Sequence, residues 1–375
     1  MLETLKVALV CDWLTVFAGA ERVVLELHEL FPNAPIYTTL YSSQNCPQFK
    51  KADIRESKLR FIPGARRFHR LFLPWMPKAF ETINLDEYDL VISSCHSTSK
   101  GILTSPSTLH VCYCHSPIRY LWDQSHAYQA QFKSFSPFRF LFTPMLNKLR
   151  LWDRLAAERV DDYIANSHYV GERIQKYYGR KSTVINPPVD LFKFTSYNGE
   201  RDDYYLAVGR LIPYKRFDLI VDACKTAGKK LKVVGVGPSL KELKKRGGED
   251  IEFLGKVSDE ELKGIYQKAK ALIFPQMEDF GIVPLEAMAC GTPVIAYQRG
   301  GALETVQDGV SGLFFNEQTV ESLVEALHRF EKKSWNPSEV SQSVEQFSSA
   351  RFKSELLHHI EKAWDAHSKL HRTAV

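Results

Sequence analysis

Two glutamates, Glu278 and Glu286, stand with seven residues between them in KALIFPQMEDFGIVPLEAMACGTPVIAYQRGGALETVQDG, residues 270–309. The apolar run ending at Pro275 predicts a buried strand, the polar loop after it carries Glu278 and Gly281, and a second apolar segment opens with Pro284. Proline is tolerated at the first helical position, which puts the predicted helix start at Pro284 and Glu286 in its first turn. On that reading the carboxylates share no helix face: one leaves the strand on a loop, and the other projects from the helix beside it. Between them, loop amides and the N–H groups of a helix start make an anion site. Amides for phosphate, flanked by acids for hydroxyls, suit a ligand of the nucleotide-sugar kind.

The Glu-x7-Glu spacing, Phe280-Gly281 inside it and the following MACGTPVIAYQRGGALETVQDGVSGLFF resemble the signature of family-four retaining glycosyltransferases. His115-Ser116-Pro117, with Arg119, Tyr120 and Trp122, is similar to the corresponding segment of bacterial O-antigen mannosyltransferases in that family. The resemblance implies an α/β chain of GT-B architecture, two facing Rossmann-like domains with a C-terminal helix crossing back to the first. It implies Glu278 near the transferred sugar, Glu286 on the ribose hydroxyls, His115 close to the donor sugar, and Arg210 and Lys215 clamping the donor diphosphate. It further implies donor contacts from Phe280, Gly281, Ile282 and Val283, and main-chain contacts to the base around Gly255, Lys256 and Val257. Gly19 stands in Ala18-Gly19 where the family usually has Gly-Gly, and is expected beside donor phosphate or acceptor. The activity implied is transfer of a hexose, mannose from GDP-mannose, to a glycan acceptor, with UDP-glucose or UDP-galactose as the alternative donor.

Positioning these residues requires a series of parallel strands, whose ligands collect at their carboxyl ends. LKVALVC (5–11) is an uninterrupted apolar run of the kind buried on both faces, closed by Asp12. After the loop through Gly19, AERVVLELHELF has helical spacing at Val23, Val24, Leu27 and Leu30. YDLVISS (88–94) brings Ser93, Ser94, Cys95 and His96 to a strand end, and LHVCYC (109–114) brings His115. Two further strands are predicted at 161–167 and 182–190, around a helix near 168–179. A second series starts at YYLAVGR (204–210), with Arg210 at its end and Lys215 before a helix; LKVVGVGP (231–238) ends in Gly235 and Gly237, which are expected at the nucleotide. IEFLGKV follows, with a helix capped by Ser258 and Glu261. Pro187-Pro188 and the polar run 196–203 place the expected boundary between an acceptor domain, 1–195 with a crossing helix at 351–375, and a donor domain, 196–350.

With 375 residues, 44% hydrophobic and 25% charged, the chain has the composition of a globular protein of two ordinary domains. Lys6 precedes only a short apolar run that meets Asp12, so no secretory signal is read, and no stretch approaches transmembrane length. The expectation is a cytoplasmic protein. Seven scattered cysteines make no disulfide framework. Cys112-Tyr-Cys114-His115 lacks a second pair at ligand spacing, and no Asp-x-Asp occurs, so neither a zinc site nor a carboxylate-held divalent ion is expected. Arg210 and Lys215 are instead expected to meet leaving-group charge. No cofactor beyond the donor is implied.

A nucleic-acid binder, the rival of another class, would show a basic stripe with aromatic platforms rather than Rossmann loops. A phosphorylase, an epimerase or a silent nucleotide-sugar binder fits the residues less well. Residues 47–80 hold nine Lys or Arg against two Asp or Glu, among Phe61, Ile62, Phe68, Leu71, Phe72, Leu73, Trp75 and Met76. Residues 132–152 interleave Phe132, Phe135, Phe138, Phe140, Leu141, Phe142, Met145, Leu146 and Trp152 with Lys133, Arg139, Lys148 and Arg150. Both stretches are expected at an anionic membrane surface on the inner face of the cell membrane, where a lipid-linked acceptor would be found.

Overall fold

The computed structural model describes residues 2–123, 125 and 139–372. The chain divides into two compact units, Met1–Pro187 with Phe352–Val375, and Pro188–Arg351.

The first unit is built on seven strands: β1 (Val7–Cys11), β2 (Ile36–Thr38), β3 (Ile54–Glu56), β4 (Leu90–Cys95), β5 (Leu109–Cys114), β6 (Asp162–Ala165) and β7 (Thr183–Val184). All are parallel, in the order β3-β2-β1-β4-β5-β6-β7. β1, β4 and β5 are buried at every position, which is why each reads as an unbroken apolar run. Leu9 pairs with Ile36 on one side and Ile92 on the other, so the strand order reverses about β1 and the loops after β1 and β4 leave a crevice at their carboxyl ends. The helices are α1 (Gly19–Leu30), α2 (Met76–Glu81), α3 (Arg139–Glu158) and α4 (His168–Tyr178). α1 buries Val23, Val24 and Leu27 as its spacing predicts, although it starts at Gly19 itself. Ser167 caps α4 by accepting from Val170 N–H, and Gly179 at φ 66° ends it.

The second unit has six parallel strands: β8 (Tyr205–Val208), β9 (Leu231–Val234), β10 (Ile251–Gly255), β11 (Ala271–Phe274), β12 (Val294–Tyr297) and β13 (Gly312–Phe315). Their order, β10-β9-β8-β11-β12-β13, repeats the first unit's pattern with the reversal now about β8. Its helices are α5 (Phe217–Thr226), α6 (Leu240–Arg246), α7 (Asp259–Lys268), α8 (Ile282–Ala289), α9 (Ala302–Thr305), α10 (Val320–Glu331) and α11 (Pro337–Gln342). The capping box read at Ser258 and Glu261 is formed at the start of α7.

The last helix, α12 (Ser349–Arg372), lays Phe352, Leu356 and Ile360, each fully buried, into the core of the first unit with Val23, Ile36 and Ile92. Burial of three such side chains contributes about 1.5–3 kcal/mol each, enough to hold the helix there. Three sequence expectations change. The strand expected at 182–190 pairs only over Thr183–Val184, because Pro187 and Pro188 have no N–H to continue the ladder. The division falls at Pro187–Pro188, ahead of the polar run; Val189 N–H bonds Phe347 O at 2.9 Å and Phe194 is 1% exposed in the core of the second unit. α8 begins at Ile282 rather than Pro284. Gly281 at φ 95° turns the chain into it, and a proline in the first turn occupies a place whose N–H would find no partner within the helix.

Candidate functional site

In the second unit, the loops at the carboxyl ends of the strands are fitted backbone to backbone. Gly209 donates to Val234 O at 3.0 Å, and Gly235, at φ 135°, donates to Gly255 O at 2.7 Å. A Cβ on Gly235 would lie 1.9 Å from Gly209 O, and one on Gly237 would lie 2.3 Å from Leu211 O. These two glycines therefore let the loops after β8 and β9 touch, a packing role the motif alone does not disclose.

Glu278 is held in the same manner. Gly301 N–H donates to its carbonyl at 3.0 Å, and a Cβ on Gly301 would come within 2.3 Å of Phe280 Cα. The Gly300-Gly301 pair after β12 thus supports the loop that presents the Glu278 carboxylate. That carboxylate meets Lys215 Nζ at 3.2 Å, both side chains being mostly buried. The structure therefore brings together two residues that lie 63 positions apart in the chain (278 minus 215). Arg210, beside Gly209, is exposed and pairs with no carboxylate among the described residues. Ile282 and Val283 form the first turn of α8, whose N–H groups find no acceptor within the helix. Glu286 is a turn deeper than expected, 6% exposed, and accepts from the buried Tyr266 hydroxyl at 3.2 Å. Lys256 is exposed after Gly255 at φ 70°, while Val257 packs against the core. A cationic pair, a helix start and two acids at the ends of adjacent strands can bind a diphosphate and a set of hydroxyls.

The first unit places side chains, rather than glycines, at the ends of β1, β4 and β5. Asp12, 1% exposed, accepts four backbone N–H groups from the turn after β4: His96 at 2.7 Å and Ser97 at 2.9 Å on one oxygen, Thr98 at 2.6 Å and Ser99 at 2.8 Å on the other. His96 Nδ1 also meets Asp12 Oδ2 at 3.1 Å. Trp13 lies between two imidazoles, its ring 4.9 Å from that of His69 and 4.6 Å from that of His96. His115 follows β5, with Nε2 hydrogen-bonded to the Ser94 hydroxyl at 2.8 Å and its ring 6.4 Å from that of His96. Burial and the neighbouring His96 push His115 down to about 3, against a smaller upward pull from Asp12, so it is a neutral hydrogen-bonding group. Glu21, in the first turn of α1, accepts from Ala18 N–H at 2.9 Å; burial raises its carboxyl above the ordinary range while His96 pulls it back. Gly19 stands beside it in that turn.

Sequence reasoning missed Asp12 as an anchor, the Trp13–His69–His96 ring cluster and Tyr266. An acidic residue directly after the first buried strand is a usable signal for the first; nothing in local spacing marks the others. It also missed a buried ion pair of Lys100 with Asp153, whose second oxygen accepts from Trp122 Nε1 at 2.7 Å and Tyr178 OH at 3.0 Å. Burial alone would lower the Lys100 ammonium, yet Asp153 raises it overall.

Residues 17–192 match the model of Glycosyltransferase Family 4, and residues 190–347 that of Glycosyl transferases group 1. Between them the two models run through both units, and the chain belongs to these glycosyltransferases, with the GT-B fold. It is 30% identical over 159 residues to O-antigen chain mannosyltransferase C of Escherichia coli, which takes in 40% of this chain and 42% of that one. A GDP-mannose-dependent alpha-(1-6)-phosphatidylinositol monomannoside mannosyltransferase of Mycobacterium tuberculosis is 34% identical over 147 residues, 34% of this chain and 38% of that one. The chain spans about half the length of the curated relatives it matches, or less. Among solved structures, that of Anabaena HepE in complex with UDP and glucose superposes with a TM-score of 0.70 over 95% of this chain and 99% of that one, at 18% identity.

Proposed function

We propose that the protein is a retaining glycosyltransferase that moves mannose from GDP-mannose onto a lipid-linked or polysaccharide glycan in cell-surface polysaccharide biosynthesis. The observation that carries this reading is the Lys215–Glu278 pair at 3.2 Å, set beside the glycine-led start of α8. Lys215, Arg210 and the amides after Gly281 take the diphosphate, whose charge grows as the C1–O bond breaks. Glu278 orients the sugar as it gains oxocarbenium character, and Glu286 binds the ribose hydroxyls. Neutral His115 gives the sugar a hydrogen bond without carrying charge. With no residue assigned as a nucleophile, the acceptor attacks from the face the phosphate leaves, and that phosphate receives its proton. Mannose and GDP are favoured by the two mannosyltransferases the chain resembles, one of them GDP-mannose-dependent.

The acceptor side is proposed to work at an anionic membrane surface facing the cytoplasm. No helix among the described residues is long and apolar enough to cross a membrane. Phe61, Phe68, Leu71 and Trp75 are 71%, 53%, 69% and 58% exposed. Arg60 and Arg67 lie over Phe61 and Phe68, and Lys58 is exposed. Phe49, Met76 and Phe80 are core, and Arg55 and Arg66 are tied to Asp53 and Glu56, so the proposed contact narrows to residues 58–75. His69, hydrogen-bonded to Thr15 at 3.3 Å and packed at a tilt against Trp13, ties that segment to the ends of β1 and β4. In the second stretch, Phe132, Lys133, Phe135 and Phe138 lie outside the described residues, as do the side chains of Arg139, Phe140, Leu141 and Phe142. Leu146 is core there, Trp152 Nε1 bonds Glu81 and Arg150 bonds Leu121 O. These three side chains make contacts within the first unit, and the membrane reading does not use them.

A calorimetric panel of GDP-mannose, UDP-glucose, UDP-galactose and ADP-glucose, followed by donor turnover in excess EDTA, tests the reading. GDP-mannose is expected to bind tightest and to turn over with chelator present; preference for a UDP-sugar sinks the mannose assignment, and loss of turnover restored by magnesium sinks the metal-free one. Sedimentation with anionic vesicles, lost in an Arg60→Glu, Arg67→Glu variant, checks the membrane contact.

A further inference from the structure

Among the described residues, positive φ is confined to glycine with one exception, Arg216, at φ 54° and ψ 38°. A side chain there crowds the carbonyl that follows, and glycine or asparagine is the usual occupant. The residues on either side show what the turn accomplishes. Leu211 and Phe217 are both buried in the same core, and between them the chain makes a single 3-10 turn, Pro213–Lys215. Lys215 N–H bonds Ile212 O at 3.1 Å and Arg216 N–H bonds Pro213 O at 3.0 Å. Arg216 then reverses the path, and its carbonyl accepts from Leu219 N–H at 3.1 Å to start α5. With that reversal Lys215 and Phe217 both fold back over the end of β8: a Cβ built on Gly209 would lie 3.4 Å from Lys215 Nζ and 3.6 Å from Phe217 Cζ. From there Lys215 reaches Glu278 at 3.2 Å. The Arg216 guanidinium turns elsewhere, its Nε donating to both oxygens of Asp218, in the first turn of α5, at 3.2 Å each.

We propose that Arg216 is a positioning residue of the second unit: its left-handed backbone, tied down by Asp218, sets the direction in which Lys215 leaves the turn and so places the ammonium for a nucleoside diphosphate. This deepens the donor reading above and rests on it for Lys215 meeting the diphosphate. A strained conformation of this kind persists only where its surroundings over-determine it. Here Leu211 and Phe217 hold the two ends of the turn in the core, and Asp218 holds the side chain of the strained residue. A right-handed residue at 216 would carry the chain straight from the 3-10 turn into α5, and Lys215 and Phe217 would no longer both lie over Gly209. The ion pair with Asp218 is partly exposed and contributes little to folding as such. Its effect is local, because it closes over two residues and spans the bond at which the chain reverses. On this account the guanidinium serves the turn, and what the site requires at 216 is the backbone.

The test sets backbone against charge. Affinities for GDP and for UDP are measured by calorimetry, beside thermal stability, in the wild type and in Arg216→Val, Arg216→Gly and Asp218→Ala. Valine and glycine both remove the guanidinium, but a β-branched residue resists a φ of 54° and glycine accepts it. Arg216→Val is expected to raise the Kd of the tighter-bound nucleotide roughly fivefold to thirtyfold, and Arg216→Gly to stay near the wild type. Asp218→Ala keeps the arginine and removes an acid, which on charge alone would tighten the binding of an anion; positioning predicts instead a Kd roughly twofold to fivefold higher. That variant keeps the test open if the valine variant does not fold. In a Lys215→Ala background all three changes should be silent for affinity, as a general loss of structure would not be. Equal weakening by valine and glycine would make Arg216 a phosphate contact, and tighter binding in Asp218→Ala would leave only a charge effect; either result overturns the proposal. Wild-type affinity in Arg216→Val, where Lys215→Ala weakens binding, overturns it too and leaves the donor reading standing. If Lys215→Ala binds both nucleotides as the wild type does, or the wild type binds neither, the donor reading itself fails and this proposal with it.

Discussion

The two sheets share a strand order and differ in what stands at their carboxyl ends. In the second unit the crevice about β8 is framed by Gly209, Gly235, Gly237, Gly300 and Gly301, which let loops meet main chain to main chain, with Lys215 and Glu278 facing each other across it. In the first, the crevice about β1 is framed by Asp12, Trp13, His96 and His115. One topology thus carries two kinds of crevice. In the second unit closely packed backbone leaves amides and cations at the crevice, which on the proposed reading take the charged half of a donor. The first unit's crevice is instead lined by buried polar side chains and an aromatic ring.

The strongest way to break this contrast is Gly235→Ala. Its Cβ would overlap Gly209 O at 1.9 Å, and its φ of 135° is strained for any other residue. Strained backbone costs about 1–3 kcal/mol and overpacking about 1–3 more. Urea unfolding is expected to show that loss together with loss of donor affinity. Gly228→Ala, at φ 61° with nothing within 4 Å of its Cβ, should show only the backbone part and keep donor affinity. Equal effects from the two would mean that close loop contact does not build the donor crevice.

Next in size are the two acids. Removing a charged hydrogen-bond partner costs roughly 1.5–3 kcal/mol, or about tenfold to over a hundredfold. Glu286→Ala is expected to raise the donor Kd by that factor, and Glu278→Ala to lower kcat with a smaller change in affinity. Calorimetry and steady-state kinetics decide; wild-type efficiency in both variants would remove the donor crevice from this unit.

The first unit's side-chain design makes a different prediction, for acid. Burial lowers His110 to about 3, and burial with His96 lowers His115 likewise, against about 6.5 in an unfolded chain. Between those values the unfolded chain binds protons that the folded one refuses, so stability rises with pH across this window. It is fully present above about pH 6.5 and falls as pH drops, by about 1.4 kcal/mol per pH unit for each histidine. His110 is fully buried with Nε2 hydrogen-bonded to the Ser93 hydroxyl at 2.8 Å, so His110→Gln should flatten the slope between pH 6 and 4 without altering transfer at pH 7.5. An unchanged slope in urea titrations would mean that His110 is already protonated in the fold.

How much of this was legible in the sequence follows the range of the interactions. β1, β4, β5 and β11 could be read because strands buried on both faces leave unbroken apolar runs. α1 and α12 could be read because one stripe meets a core. Glu278 and Glu286 were legible through a local motif. The start of α8 was misplaced because a proline fits anywhere in the first turn, and the choice fell to Gly281, whose φ of 95° no composition rule reports. The Asp12–His96 dyad was not legible, since 84 residues separate a carboxylate from the turn it anchors and only the pairing of β1 with β4 joins them.

The smallest expected effect tests whether the backbone-built crevice also depends on a side-chain support. Tyr266 is fully buried, edge-on to Phe194 at 5.8 Å, and its hydroxyl donates to Glu286 Oε2 at 3.2 Å. Tyr266→Phe keeps the ring and its packing and deletes that one bond, so fold stability should change little. The Glu286 carboxylate, 6% exposed, then loses a group that fixes its rotamer. A hydrogen bond of this length contributes about 0.5–1.5 kcal/mol, which corresponds to a donor Kd raised about twofold to tenfold, with kcat unchanged because Glu278 is not touched. An unchanged Kd would mean that α8 alone fixes Glu286. A loss as large as that of Glu286→Ala would mean that the two act as one unit, and double-mutant analysis would then show Tyr266→Phe silent in the Glu286→Ala background.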